Sequence, residues 1–145
     1  MTVYLDTSSL VKLYVSEPGS DVVRQAVDRA TIVATSCIAY PETRAALARR
    51  RRERALRPAA FVSAKQAFET DWPTYLTLEV TSALCHEAGE LAERYRLRGY
   101  DSVHLASFAE IARRTEARRC RFSSFDEALN RAARSLRRRL ARSHK

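Results

Sequence analysis

Four carboxylates stand where a soluble chain has no need of charge, three of them following apolar strands and the fourth opening a helix of its own. Asp6 directly follows TVYL, Glu42 lies in the first turn after TIVATS, Asp101 opens its own helix after Gly99 and Tyr100, and Asp126 follows CRF. Acids sharing one pocket repel and raise one another's pKa unless a cation neutralises them. All four offer hard oxygens, and no His or Cys set stands at zinc spacing, so Mg²⁺ or Mn²⁺ suits them best. Each acid also has a plain structural reading. Asp6 and Asp101 make good helix caps, and Ser124 with Glu127 forms a capping box that leaves Asp126 as a first-turn acid beside the helix dipole. His104, one turn on from Asp101, reads as a hydrogen-bonded structural residue.

The elements that would hold these acids follow from pattern. Strands are expected at 2–5, 31–36, 76–80 and 120–122, short and wholly apolar. Helices are expected at 8–15, at 21–28 with Ser20 as cap and Val22, Val23, Ala26 and Val27 inward, and at 40–54 with Pro41 in its first turn. Further helices are expected from Pro58 to about Phe68, over 81–97 closed by Gly99, over 101–115, and from Ser124 to about Arg142 with Leu129, Ala132, Ala133, Leu136 and Leu140 inward. Strands separated by helices imply an α/β fold with a parallel sheet covered on both faces, and such sheets bind ligands beyond the carboxyl ends of their strands.

Composition narrows the class. With 145 residues, 46% hydrophobic, 30% charged and only three Gly and four Pro, the chain suits one domain (1–145) with a real core and excludes disorder and collagen-like repeats. No stretch approaches the roughly 18 apolar residues of a membrane span, and the N-terminus lacks a secretory pattern, so a cytoplasmic protein is expected. Cys37, Cys85 and Cys120 form no metal or disulfide framework and read as small core residues. The net charge of +9 concentrates in Arg49–Arg57 (+5) and Arg131–Lys145 (+7), leaving the remainder at −3. The charge is carried by Arg, whose planar fork suits phosphate, so a polyanionic partner is expected, nucleic acid first, with Arg49, Arg50, Arg51 and Arg52 as RNA contacts. A solvated helix face is the plain alternative.

The segments YLDTSSLVKLYVSEPGS, SCIAYPETRAALARRR, RGYDSVHLASFAEI and RFSSFDEALNRAA, in this order along nearly the whole chain, resemble the PIN-domain ribonucleases, and among them the VapC-type toxins. The resemblance implies a three-layer α/β/α sandwich with a mainly parallel sheet of four to five strands. It implies Asp6, Glu42, Asp101 and Asp126 as a quartet binding Mg²⁺ or Mn²⁺ and hydrolysing RNA, with Thr7, Ser8 and Ser124 in polar support. It also implies a homodimer and a small antitoxin protein that sets a basic side chain among the acids, with Tyr14, Leu47 and Phe61 as candidates for partner surfaces. Pro41 departs from the family, which usually has Ala there, and a fifth strand is not evident in the Arg-rich tail. Metal held by Asp6 and Asp101 would activate water for in-line attack, with Glu42 and Asp126 orienting it. The rival reading is a non-catalytic module for nucleic acid or a protein partner, with the acids as caps.

Overall fold

The computed structural model describes residues 1–143; His144 and Lys145, the end of the second basic segment, lie outside the described residues. Four strands, β1 (Thr2–Leu5), β2 (Ile32–Ser36), β3 (Leu76–Leu78) and β4 (Cys120–Ser123), form one parallel sheet in the order β3-β2-β1-β4. Val3 stands opposite Val33 on one side and Arg121 on the other, and Leu5 opposite Ser123, so the carboxyl ends of β1 and β4 are level. Parallel strands need long crossovers, and helices supply them. They are α1 (Thr7–Leu10, continued by a 3₁₀ turn), α2 (Ser20–Asp28), α3 (Ala39–Arg52), α4 (Pro58–Asp71), α5 (Ser82–Tyr95), α6 (Gly99–Thr115) and α7 (Glu127–Ser143). β1 is buried throughout, and no fifth strand occurs among the described residues; α7 takes up the Arg-rich tail instead.

Side chains alternate across a strand, and the layers follow from that. Tyr4 and Ala34 face a core built with Leu105, Phe108, Leu129 and Leu136 of α6 and α7. Val3 and Leu5 face the opposite core, with Leu10, Val23, Ala39 and Phe68. Phe68 is fully buried amid Tyr14, Tyr40 and Trp72, and its truncation to Ala should cost roughly 3–5 kcal/mol. α6 is buried nearly all round, because its Ala and Ser residues let neighbouring elements approach closely. None of the described helices is long and apolar enough to cross a membrane.

Several local expectations are corrected. Gly19, not Ser20, occupies the cap position of α2, at φ 94°, where a Cβ would lie 2.4 Å from the Phe125 ring. Ser20 instead donates to the Val15 carbonyl, and Val22 is exposed because α2 turns only Val23 fully inward. Gly99 begins α6; Arg96, in the left-handed region at φ 55°, ends α5. Of the cysteines only Cys120 is buried, its thiol pushed up to about 11 by burial, while Cys85 is exposed. Leu47 is wholly buried beneath α1, α3 and α4 and is no surface residue.

Candidate active site

β1 ends at Asp6 because the following TSSL turns into a helix, and the Asp6 side chain caps it by accepting from the Ser9 N–H at 3.0 Å. The same carboxylate accepts from Ser8 Oγ at 2.7 Å and from Ser124 Oγ at 2.5 Å. Asp6 is only 5% exposed, and burial pushes its carboxyl above the ordinary range, opposed by the hydrogen bonds of Ser124, Ser8 and Ser9 and by the charge of His104. Desolvation prevails because every direct donor is neutral. Asp6 is thus both the cap and a carboxylate without a bonded cation.

Glu42 sits in the first turn of α3, where Pro41 fits without loss of a helical hydrogen bond. Its Oε1 accepts from Thr7 Oγ1 at 2.7 Å and lies 2.8 Å from His104 Nε2. Burial works to raise the Glu42 carboxyl, but the bonds from His104 and Thr7 and the His104 charge bring it below its usual value. A carboxylate only accepts, so Nε2 donates to Glu42, while Nδ1 is hydrogen-bonded to the buried Tyr4 hydroxyl at 2.9 Å. Three elements, β1, α1 and α6, therefore aim one glutamate. Sequence reasoning placed His104 as a hydrogen-bonded structural residue; it is buried and bonded, and its partner is a candidate site acid. The signal lay in its spacing from Asp101, since residues three apart share a helix face.

Asp101 lies in the first turn of α6, one turn before His104, and accepts from Arg98 Nε at 2.9 Å rather than capping the helix. Asp126 caps α7 by accepting from Leu129 N–H at 2.8 Å, and its own N–H donates to Ser124 Oγ at 3.0 Å. The Ser124–Glu127 capping box is not formed: the Ser124 hydroxyl is committed to Asp6, and Glu127 pairs with Arg131 on the surface. The positive charge of Arg98 is held up first by its bond to Asp101 and, least of the causes, by the charge of Asp126. Arg98 was not singled out from the sequence, where it is one arginine among many.

The donor set fits a hard divalent cation. Asp6 Oδ2 accepts one bond and keeps a lone pair, and Glu42 Oε2, Asp101 Oδ1 and Asp126 Oδ2 accept nothing from the described residues. No three His, Cys, Asp or Glu side chains among the described residues stand close enough to form a ready-made metal cage. Among the candidate RNA contacts, Arg50 is held by both Glu17 oxygens, Arg49 pairs with Glu53, and Arg51 lies over the Phe61 ring.

A parallel four-stranded α/β sandwich carrying acids at the carboxyl edge of its sheet defines a class, and residues 3–135 match the PIN domain family. The chain belongs to that family. Ribonuclease VapC45 of Mycobacterium tuberculosis strain CDC 1551 / Oshkosh and ribonuclease VapC49 of strain ATCC 25618 / H37Rv are each 39% identical to it over 105 residues, covering 72% of this chain and 73% of the relative. It is thereby placed with the VapC-type ribonucleases of the family. The crystal structure of PAE2754 from Pyrobaculum aerophilum superposes with a TM-score of 0.63 at 18% identity, over 98% of this chain and 90% of that one, and supports the fold.

Proposed function

We propose that this chain is a divalent-cation-dependent endoribonuclease and the toxin of a VapBC-type pair, with Asp6, Glu42, Asp101 and Asp126 as its acidic machinery. The observation that carries the reading is Asp6, a buried carboxylate with three neutral donors, a lone pair to spare and a raised affinity for protons. Mg²⁺ or Mn²⁺ would be held by Asp6 and Asp101, and such an ion supplies polarisation of a phosphate oxygen and a lowered pKa of water. Glu42, fixed by Thr7 and His104, presents Oε2 to orient water and take its proton. Asp126 offers its remaining oxygen beside Ser124, while Ser8 and Ser124 hold Asp6 in place.

The RNA backbone runs over Arg49, Arg51 and Arg52, with Arg50 supporting the helix through Glu17. A small antitoxin protein restrains the enzyme by placing a basic side chain among the acids, as Arg98 already does for Asp101. The chain acts as one cytoplasmic domain and as a homodimer. Cleavage of structured RNAs by wild type and Asp6→Asn, with and without EDTA, tests the reading: activity requires metal and is lost in the variant. Metal-independent binding without cleavage would favour the non-catalytic module. Expression alone should arrest growth and co-expression of the partner relieve it; light scattering at twice 16.5 kDa supports the dimer, and a stable monomer at micromolar concentration refutes it.

A further inference from the structure

We propose that the cleft between β4 and α7 is a second RNA subsite, taking a phosphate and a stacked base of the single strand that leaves the acidic edge; this rests on the ribonuclease reading and extends it. The cleft encloses about 310 Å³ and is lined by Arg121, Phe122, Arg134 and Arg137, with Phe108 and Asn130 behind them. No acid lines it. Arg121 and Arg134 have no ion pair or hydrogen bond among the described residues, and Arg137 makes only a long contact, 3.4 Å, to the Cys120 carbonyl. Arg44, Arg50, Arg113 and Arg131, by contrast, each hold a carboxylate, and no acid lies within the cleft to do the same for Arg134 and Arg137. Arg134 and Arg137 stand one turn apart on α7, two guanidinium groups that repel one another until an anion enters, and their planar forks suit a phosphate's oxygens. Arg121 alternates with Cys120 and Phe122 along β4 and borders the cleft from the other face of the sheet.

The aromatic component selects among anions. Phe122 is half-buried, with one ring face stacked on Tyr4 at 5.5 Å and 8° and its edge fixed by Phe108. β4 is an edge strand, so no strand covers the far side of the ring, and Phe122 lines the cleft that a base would enter. An acidic peptide would satisfy the arginines but has no use for the ring. The cleft also adjoins the chemistry: Phe122 precedes Ser124 by two residues, about 7 Å along a strand, and Asn130 Nδ2 donates to the Ser124 carbonyl at 2.7 Å. Ser124 in turn donates to Asp6. One extended strand of RNA can therefore span the acids and the cleft.

The test measures anisotropy of a short fluorescein-labelled oligouridylate with the full chain carrying Asp6→Asn, in EDTA, across a salt series. Adding Arg134→Gln with Arg137→Gln should weaken binding about tenfold and flatten the salt dependence by about 0.7 log units for each phosphate no longer held. A charge-matched control, Arg24→Gln with Arg29→Gln, removes two arginines in and at the end of α2, on the opposite face of the sheet from α7, and should change affinity less than about twofold. Equal effects of the two pairs would overturn the subsite and leave only general charge. An unchanged oligouridylate affinity, with loss of binding to a polyglutamate peptide, would overturn it in favour of a protein ligand. Because binding is read without metal or turnover, failure of the nuclease reading, seen as no RNA cleavage by wild type in Mg²⁺ or Mn²⁺, is a separate result.

Discussion

Asp6 and Glu17 are both withdrawn from water, yet the protein treats them in opposite ways. Glu17 meets Lys12 Nζ at 3.1 Å and Arg50 Nη2 at 3.1 Å, and although burial works to raise it, those cations hold its carboxyl below the usual range. Asp6 is the more deeply buried and receives two hydroxyls and one backbone N–H, so its carboxyl goes up. A carboxylate that only ties elements together is matched with charge from within the chain. One matched by shape and neutral donors alone is, on the proposed reading, oriented for a cation from outside, at some expense in stability.

The largest effect expected from this contrast is at Asp6. Asp6→Asn should lower RNA cleavage on the order of 10³-fold or more, since it removes a pre-oriented charge from the reacting site. The melting temperature of the metal-free protein should hold or rise, because a desolvated charge has gone. Retained cleavage, or a melting temperature lower by many degrees, would break the contrast. Next comes His104→Ala, expected to lower turnover roughly 10- to 100-fold by freeing Glu42. Its stability cost should be about 1–3 kcal/mol, because the buried Tyr4 hydroxyl loses its bond to His104 and a buried ring is truncated. Turnover equal to wild type in a folded His104→Ala would show that Thr7 alone aims Glu42.

Glu17→Gln should leave cleavage intact and cost about 1–2 kcal/mol, since Lys12 and Arg50 lose their acid; calorimetry should show a melting temperature lower by roughly 2–8 °C. The pH dependence separates the two acids by sign. The Glu17 contribution is fully present above its unfolded value of 4.5 and is lost as pH falls through its lower folded value, so wild type and Glu17→Gln converge in acid. For Asp6, the unfolded chain gives up its proton first, near 3.8, so wild-type stability drops as pH rises from there to the higher folded value. Asp6→Asn lacks that drop, and denaturant titrations from pH 3 to 7 should show the two difference curves running in opposite directions. Parallel curves would end the comparison. The smallest effect is expected in α3: Arg51→Gln with Arg52→Gln should reduce the salt slope of RNA binding by about 0.7 for each phosphate no longer neutralised. Arg50→Gln should reduce stability and barely move the slope, and the reverse result would make Arg50 the residue that binds RNA.

The chain order of short apolar strands and helices was legible because a buried parallel strand has no polar face to preserve, and Thr2–Leu5 reads that way without ambiguity. Asp6, Glu42 and Asp126 were legible as candidates for a related reason: each follows an apolar strand at the end where a parallel sheet gathers its loops, whereas Asp101 opens a helix that follows another helix. Caps were less so. Ser124 carries the sequence signature of a capping box, yet its hydroxyl goes to Asp6, a partner 118 positions away. Likewise Gly19 takes the place expected for Ser20 because Phe125, brought in by another loop, leaves no room for a Cβ.

Local and periodic features were therefore set by the order of residues alone: the strands, the helices, the net positive charge and the acids at the strand ends all follow from side-chain pattern over a few residues. Which neighbours those acids have was decided in three dimensions. His104 meets Glu42 across 62 positions, and Arg50 meets Glu17 across 33. Each pairing depends on how helices pack on the two faces of one sheet, and burial and partner charge, which fix whether a carboxylate is a tie or a site, exist only after that packing is complete.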